Sequence, residues 1–217
     1  MRKQFDLIVW DWDGTLADST GMITQAIVSA AAQVGLPTLD PQAASSIIGL
    51  GLKESIDVLF GNIPAEQAQT LARQYRANCY AGESEIPLFA GVAETIVELS
   101  KRGYKLAVAT GKGRHGLNLA LEYCSLGNYF HATKTVDECF SKPHPQMLDE
   151  LMDELVVRPE RTLMIGDTSY DLQMAQNANV QAVAVTYGAQ SRDKLSGYNS
   201  IAMFNQFKDL STFLLNW

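Results

Sequence analysis

The stretch FDLIVWDWDGT, residues 5–15, decides the fold that this sequence predicts. Its first six residues, 5–10, form a short apolar run, as expected for a strand that is buried on both faces. Asp11 and Asp13 follow directly, and on an extended chain two residues at this spacing project to the same side. Gly14 allows the backbone to turn sharply after them. One carboxylate can act as a nucleophile because it is ionised at neutral pH, and its neighbour can donate and accept a proton.

From about residue 90 onward, strand-like runs alternate with segments of helical spacing. Three further apolar runs have the length of buried strands: 105–109, 162–165 and 180–185. Helical spacing fills residues 91–102 and 145–155, and the tail, 201–217, indicates a last short strand and a helix. This alternation predicts an α/β fold in which helices cover a parallel sheet.

The first connection is unusually long for such a fold. The next buried strand begins only near residue 105, and residues 16–85 have almost entirely helical patterns that are punctuated by Gly and Pro. We therefore predict a small helical domain, residues 16–85, that is inserted after the first strand. The core domain would then consist of residues 1–15 and 86–217.

The composition excludes several classes of protein. The 217-residue chain is 47% hydrophobic and carries a formal net charge of −7, which is typical of a folded domain rather than a disordered chain. An acidic chain without a basic run is a poor nucleic-acid binder. Three widely spaced cysteines match neither a disulfide framework nor a zinc site. No apolar stretch is long enough for a membrane helix, and residues 7–10 are too short for a signal peptide, so we expect a cytoplasmic protein without membrane or nucleic-acid partners.

Polar groups also follow the later strands, at the sheet edge where open α/β sheets bind ligands. Thr110, Gly111 and Lys112 come after the run 105–109. Together they offer a hydroxyl, an unhindered backbone amide and an ammonium group, which suit an oxyanion such as phosphate. Taken alone, a Thr-Gly pair after a strand is more often a turn.

Two further motifs carry charged residues. Lys142 precedes Pro143, which disfavours helix at the lysine, although the isolated motif would be expected to place Lys142 at the surface. Asp167 follows the run 162–165, and Asp171 lies where it can also stabilise the start of a helix. Several carboxylates at one edge require a compensating cation, and oxygen ligands without nearby His or Cys favour Mg²⁺.

The motifs DWDGT, TGK, SKPHP and GDTSYD, in this order, resemble the four motifs of the haloacid dehalogenase-like hydrolases. The long insert resembles the helical cap of the phosphoglycolate phosphatase-like branch. The resemblance implies a Rossmann-like, doubly wound parallel sheet of order 5-4-1-2-3 with an inserted α-helical cap. It also implies an Mg²⁺-dependent phosphoric monoester hydrolase that acts on a small phosphorylated metabolite through an aspartyl-phosphate, as a monomer or homodimer.

The same resemblance implies a role for each acidic residue. Asp11 resembles the nucleophile, and Asp13 resembles the acid that protonates the leaving oxygen and then the base that activates water. Mg²⁺ would be held by the carboxylate of Asp11, the backbone carbonyl of Asp13 and the carboxylate of Asp167. Asp171 would contact the metal through water.

The resemblance further implies that Thr110, the Gly111 amide and Lys142 bind the phosphoryl oxygens, and that Lys142 also holds the nucleophile in place. In the cap, Lys53 is a candidate substrate contact. Arg73 and Arg76 are weaker candidates for such a contact, and they fit a solvated helix face better. The stretch 45–48 lacks the arginine that many phosphoglycolate phosphatases carry there, which argues against phosphoglycolate itself as substrate.

Two alternatives remain from the sequence. A phosphomutase resembling β-phosphoglucomutase would have the same four motifs but would return the phosphoryl group to a sugar. A non-catalytic relative would only bind a partner, and it would be expected to have damaged acidic motifs, which this sequence does not have. Members that cleave carbon–halogen or phosphonate bonds generally lack the acid at position 13, so Asp13 favours phosphate esters.

Overall fold

The computed structural model describes residues 4–82 and 86–217 of the chain. Within these residues, six parallel strands form one sheet of order β3-β2-β1-β4-β5-β6. The strands are β1 (Leu7–Trp10), β2 (Lys105–Thr110), β3 (Ala132–Thr135), β4 (Thr162–Gly166), β5 (Gln181–Val185) and β6 (Ala202–Phe204). The predicted α/β class and the order of the first five strands are confirmed, and β6 extends the sheet beyond β5.

Strand β1 lies in the middle of the sheet. Leu7 pairs with Lys105 on one side and with Thr162 on the other, so β1 has a hydrogen-bonded neighbour along both edges. All four of its residues are buried, and their side chains alternate between the two faces of the sheet. This position explains why the sequence of β1 is a continuous apolar run.

Strand β3 was not indicated by any apolar run. Its sequence, ATKT, lies at the edge of the sheet, and Thr133 and Lys134 are only half-buried. An edge strand loses less solvent contact than a central one, so its sequence does not need to be apolar throughout.

Helices cover both faces of the sheet. Helices α5, α6 and α10 pack with one hydrophobic cluster, and α7 and α8 pack with the other. None of the helices in the described part of the chain has both the length and the hydrophobicity to cross a bilayer. The helices are α1 (Thr20–Gln33), α2 (Pro41–Ser45), α3 (Leu52–Phe60), α4 (Ala65–Gly82), α5 (Val92–Lys101), α6 (Arg114–Cys124), α7 (Gln146–Leu155), α8 (Ser169–Asn177), α9 (Arg192–Leu195) and α10 (Phe207–Leu215).

Helices α1–α4 have a hydrophobic cluster of their own. It contains Ile27, Ile56 and Leu71, which come from α1, α3 and α4. Leu16 and Ala17, at the predicted start of the insert, instead belong to the core beside the sheet. The predicted end of the insert, at residues 83–85, lies outside the described residues. The division into core and cap therefore stays a prediction.

Replacing Leu71 by Ala is expected to loosen helices α1–α4 more than the sheet. Leu71 is fully buried in the cluster of these helices. Removal of a buried leucine side chain typically lowers the free energy of unfolding by about 2–5 kcal/mol. If the helices form a separate unit, amide hydrogen exchange should accelerate within residues 20–82 and remain slow in β1 and β4. Val58→Ala, at a residue of α3 that is 61% exposed, is the control. Equal acceleration in the sheet would contradict a separate unit.

Candidate active site

The carboxyl ends of β1 and β2 open into a small cavity of about 110 Å³ beneath helices α3 and α4. Four of the predicted site residues line it: Asp11, Asp13, Thr110 and Gly111. The other wall comes from the insert, chiefly from the loop before α3 and from one face of α4. The sheet edge that the sequence indicated is therefore a pocket between the strand ends and the inserted helices.

Lys142 is the centre of the charged groups beside this cavity. Its Nζ lies 2.7 Å from Oδ1 of Asp11 and 2.6 Å from Oδ1 of Asp171, and the three side chains are at most 1% exposed. Burial by itself would lower the pKa of Lys142, but the two carboxylates outweigh it and raise the pKa. The lysine is thus a buried cation and not the surface residue expected for the isolated motif.

Asp11 is enclosed in the protein and has unused hydrogen-bonding capacity. Burial raises its pKa well above the ordinary value; the charge of Lys142 opposes this shift, and the charges of Asp171 and Asp167 add to it. Among the described residues, Oδ2 of Asp11 has no hydrogen-bond partner. A buried, unpartnered carboxylate oxygen at a cavity wall is available to bind an electrophile or a cation.

Two hydrogen bonds hold the carboxylate of Asp167 in place. Its Oδ1 accepts a hydrogen bond from Oγ1 of Thr15 at 2.8 Å, and its Oδ2 accepts one from the backbone N–H of Ala189 at 2.7 Å. Burial, with the nearby charge of Asp171, raises the pKa of Asp167 to about 7. Gly14, at a φ of 84°, passes so close that a Cβ there would contact the Asp167 carboxylate. Glycine is therefore required at position 14 by both conformation and space.

The three carboxylates of Asp11, Asp167 and Asp171 could hold a metal ion. Each offers an oxygen, and these oxygens all lie within 4.8 Å of one another. Asp171 is already engaged, because its Oδ1 contacts Lys142 and its Oδ2 accepts hydrogen bonds from the N–H and the hydroxyl of Thr168. The unpartnered oxygen of Asp11 makes direct coordination fit this residue better than Asp171, which also caps the start of α8.

Asp13 lies next to Asp11 but in a different environment. Its Oδ1 accepts a hydrogen bond of 2.8 Å from Oγ of Ser19 and contacts Nζ of Lys112 at 3.3 Å. The stem of Lys112 passes over Gly116, where an added Cβ would lie 3.2 Å from Cε of the lysine. The sequence indicated Lys112 as part of an oxyanion site, whereas the structure directs its ammonium to Asp13. No sequence pattern singled out Ser19.

The loop after β2 is covered closely by the insert. Thr110 is buried, and its Oγ1 accepts a hydrogen bond of 3.1 Å from the N–H of Lys112. A Cβ at Gly111 would lie only 2.6 Å from the carbonyl oxygen of Gly49 and 2.7 Å from that of Leu50. The absence of a side chain at position 111 is what allows the two backbones to approach.

Further contacts hold the insert against the core. The N–H of Gly51 donates a hydrogen bond of 2.8 Å to Oγ of Ser141, directly beside Lys142. The ring of Tyr80 packs edge-on against the ring of His115, with centroids 4.9 Å apart. The insert therefore contacts both the SKPHP loop and α6.

The cap candidates have different positions. Lys53 is exposed and does not line the cavity, so the structure does not bring it to the site. Arg73 is exposed and donates a hydrogen bond to Oγ1 of Thr70 within its own helix. Arg76 does line the cavity, together with three other residues of α4, Tyr75, Cys79 and Tyr80. These four residues follow one another at intervals of one, three and one positions, so they share one face of α4. This spacing is visible in the sequence and could have placed Arg76 on the same helix face as the other three.

The chain is similar in sequence to known proteins. The profile of a family described as haloacid dehalogenase-like hydrolase matches residues 8–185. A protein of Dickeya dadantii named "Probable phosphatase IndB" is 32% identical over 94% of this chain and 91% of its own length. A "Pyrophosphatase PpaX" of Bacillus mycoides is 27% identical over 95% of both chains.

Solved structures of similar proteins have the same architecture. The crystal structure of a "predicted phosphatase" from Clostridium acetobutylicum superimposes with a TM-score of 0.87 at 26% identity and covers 99% of this chain and 100% of its own. That of a "predicted phosphoglycolate phosphatase" from Haemophilus somnus 129PT gives a TM-score of 0.86 at 25% identity, over 98% of this chain and 99% of its own. The similarity thus covers both the sheet and the inserted helices.

Gly111→Ala is expected to push the insert away from the loop after β2. The added Cβ would overlap the backbone carbonyls of Gly49 and Leu50, and overpacking of this kind typically costs about 1–3 kcal/mol. Amide hydrogen exchange in residues 47–52 should therefore accelerate, and the melting temperature should fall. Gly21→Ala is the matched control, because a Cβ at that helical position meets no atom within 4 Å. Unchanged exchange in residues 47–52 would show that this close contact is not needed.

Proposed function

Because the chain belongs to the haloacid dehalogenase-like hydrolase family, we propose that it is a phosphoglycolate phosphatase-like enzyme that hydrolyses a small phosphorylated metabolite in the presence of Mg²⁺. The observation that carries this proposal is the buried contact of Lys142 with Asp11, a residue that lines the cavity and has a carboxylate oxygen without a hydrogen-bond partner among the described residues. The names of the phosphatase and pyrophosphatase relatives support the same class of reaction. We further propose a cytoplasmic monomer or homodimer.

In the first step, Asp11 attacks the phosphorus atom of the substrate. A bond forms between a carboxylate oxygen of Asp11 and phosphorus, and the bond from phosphorus to the leaving oxygen breaks. The ammonium of Lys142, 2.7 Å from Oδ1, favours the ionised form of the nucleophile and fixes its orientation. Asp13 gives a proton to the leaving oxygen, so the leaving group departs as an alcohol.

In the second step, the aspartyl-phosphate is hydrolysed. Asp13, now ionised, takes a proton from a water molecule, whose oxygen attacks phosphorus. The bond between Asp11 and phosphorus breaks, and inorganic phosphate and the free carboxylate of Asp11 result. Ser19 and Lys112, which contact Oδ1 of Asp13, orient this carboxyl group next to the cavity. Both steps require that Asp13 be able to exchange a proton with a group in the cavity.

Phosphate and metal would occupy complementary parts of the site. Thr110, the amide of Gly111 and Lys142 would bind the phosphoryl oxygens. The residues that would hold Mg²⁺ are Asp11, the backbone carbonyl of Asp13 and Asp167, with Asp171 acting through water. When bound, the cation supplies positive charge that offsets the carboxylates and the phosphoryl group. The all-oxygen donor set and the free oxygen of Asp11 fit such an ion.

Substitution of the two carboxylates is expected to have different consequences. Asp11→Asn should abolish release of phosphate, because an amide does not form the covalent intermediate. Asp13→Asn should lower turnover by about 10²- to 10⁴-fold, the typical contribution of general acid–base catalysis. Release of inorganic phosphate from small phosphate esters measures both, with circular dichroism as the control for folding. Turnover by Asp13→Asn within a few-fold of the unmodified enzyme would remove Asp13 from its role. A phosphomutase would release little free phosphate.

Addition of Mg²⁺ and beryllium fluoride, a phosphate mimic, is expected to raise the melting temperature. A ligand at 100 times its Kd stabilises the folded state by about 2.7 kcal/mol. Asp167→Asn should abolish most of this shift, because it removes one proposed ligand of the ion. Asp57→Asn, which changes an exposed carboxylate of α3, should respond like the unmodified protein. If the unmodified protein shows no shift, it does not bind the ion and the phosphoryl mimic together, and a non-catalytic role would be favoured.

A further inference from the structure

We propose that Arg76 selects phosphate esters and phosphoanhydrides whose leaving group is itself anionic, either because it carries a carboxylate or because it is a second phosphate. The inference rests on the proposed phosphatase function and names the class of substrate. It comes from the distribution of charge around the cavity and from the position of one arginine of α4. Arg76 itself takes no part in the proposed steps at phosphorus.

Five of the described residues that line the cavity are charged, and four of them contact an oppositely charged side chain or accept a hydrogen bond from a backbone N–H. Asp11 contacts Lys142, and Asp13 contacts Lys112. Asp137 accepts a hydrogen bond of 2.7 Å from the N–H of the first residue of α6, and so stabilises the start of that helix. The fifth charged residue, Arg76, has no hydrogen bond or ion pair within residues 4–82 and 86–217. Within the described residues it is therefore an exposed cation at the cavity whose charge is available to a ligand.

The position of Arg76 points to the leaving group and not to the transferred phosphoryl group. Asp11 and the loop after β2 belong to the core side of the cavity, whereas Arg76 belongs to α4 of the insert. A phosphoryl group bound at Asp11 would direct its ester oxygen and leaving group away from the core side, into the space beneath the inserted helices. The positive charge of Arg76 on that wall therefore favours binding of substrates whose leaving group is negatively charged.

The remaining wall limits what that leaving group can be. Ile47, Ile48, Leu50 and Leu52 line the same cavity as the carboxylates and Arg76, and they make part of its wall apolar. This apolar surface suits a short, apolar link between two anionic groups. A guanidinium group matches a carboxylate or a phosphate with two parallel hydrogen bonds, so either anion would fit.

The structure also changes an argument made from the sequence. The lack of arginine at positions 45–48 argued against phosphoglycolate itself as substrate. Arg76 supplies the guanidinium from a different helix, at the same cavity. The charge requirement for a substrate with two anionic groups can therefore be met without an arginine before α3.

The test compares substrates that differ in the charge of the leaving group. The probes are 2-phosphoglycolate, an ester whose leaving group carries a carboxylate, pyrophosphate, an anhydride whose leaving group is a phosphate, and ethyl phosphate, an ester whose leaving group carries neither. We expect Arg76→Gln to lower the ratio of kcat/KM for the preferred anionic probe to that for ethyl phosphate by about 10- to 100-fold, the range for a lost hydrogen bond to a charged group. The change should appear mainly in KM, because Arg76 does not contact the reacting atoms.

Two variants make the test specific. Arg76→Lys keeps the positive charge and should recover part of the selectivity, although a lysine lacks the paired donors of a guanidinium. Arg73→Gln removes a similar charge one turn earlier on the same helix, at a residue that does not line the cavity, and should leave the ratio unchanged. Equal melting temperatures of the two glutamine variants would exclude a general loss of structure.

The outcomes separate this inference from the proposed function. Selectivity for 2-phosphoglycolate would identify the second anion as a carboxylate, and selectivity for pyrophosphate would identify it as a phosphate. A ratio that Arg76→Gln changes by less than twofold, or that Arg73→Gln lowers equally, would overturn the inference. In that case, hydrolysis of ethyl phosphate that is lost in Asp11→Asn would still support the phosphatase. Hydrolysis of none of the three probes would refute both proposals.

Discussion

The ion pairs of one buried lysine are the constraint on which the rest of the structure depends. The ammonium of Lys142 lies between Asp11, at the end of β1, and Asp171, in the first turn of α8. Loss of one member of a buried charge group leaves the others uncompensated and typically costs about 3–5 kcal/mol. The SKPHP loop, the central strand and the helix after β4 must therefore meet at this point. The parallel order of β1 and β4 brings two of these elements together, and the connection from β3 to α7 brings the third.

The buried charged groups around Lys142 include more carboxylates than cations. Asp11, Asp167 and Asp171 face a single buried lysine, and burial with mutual repulsion raises the pKa of Asp11 and of Asp167. A carboxyl whose pKa is higher in the folded than in the unfolded state stabilises the fold less as pH rises through the interval between the two values. A divalent cation held by these oxygens would offset that penalty. The sequence suggested that the nucleophile would be ionised without help, but the buried site shows that it needs the lysine beside it and would gain from a metal ion.

The sequence predicted most of the central sheet and the charged motifs, for identifiable reasons. Strands β1, β2, β4 and β5 are buried within the sheet, and burial on both faces requires an apolar run that the sequence displays. Strand β3 lies at an edge and carries no such run. Among the site residues, those at strand ends could be recognised because topology brings strand ends together. Ser19 and Arg76 do not follow a strand and could not be recognised in this way. Lys53 was a candidate for the cap side of the site, but it does not line the cavity. The direction of a side chain on an inserted helix depends on how that helix packs against the core, which local spacing does not determine.

The contact between the insert and the loop after β2 links substrate selection to phosphoryl transfer. The backbone carbonyls of Gly49 and Leu50 approach Gly111 so closely that a methyl group would not fit between them. The amide of Gly111 belongs to the proposed phosphoryl site, and the helix that carries Arg76 belongs to the insert. A displacement of the insert would therefore change the distance from Arg76 to the core and the space around the phosphoryl group together. The contact is made by backbone atoms, so side-chain substitutions elsewhere on the insert can alter which leaving group is bound while the charged groups around Asp11 stay in place. This arrangement permits chains with the same four core motifs to act on different phosphate esters.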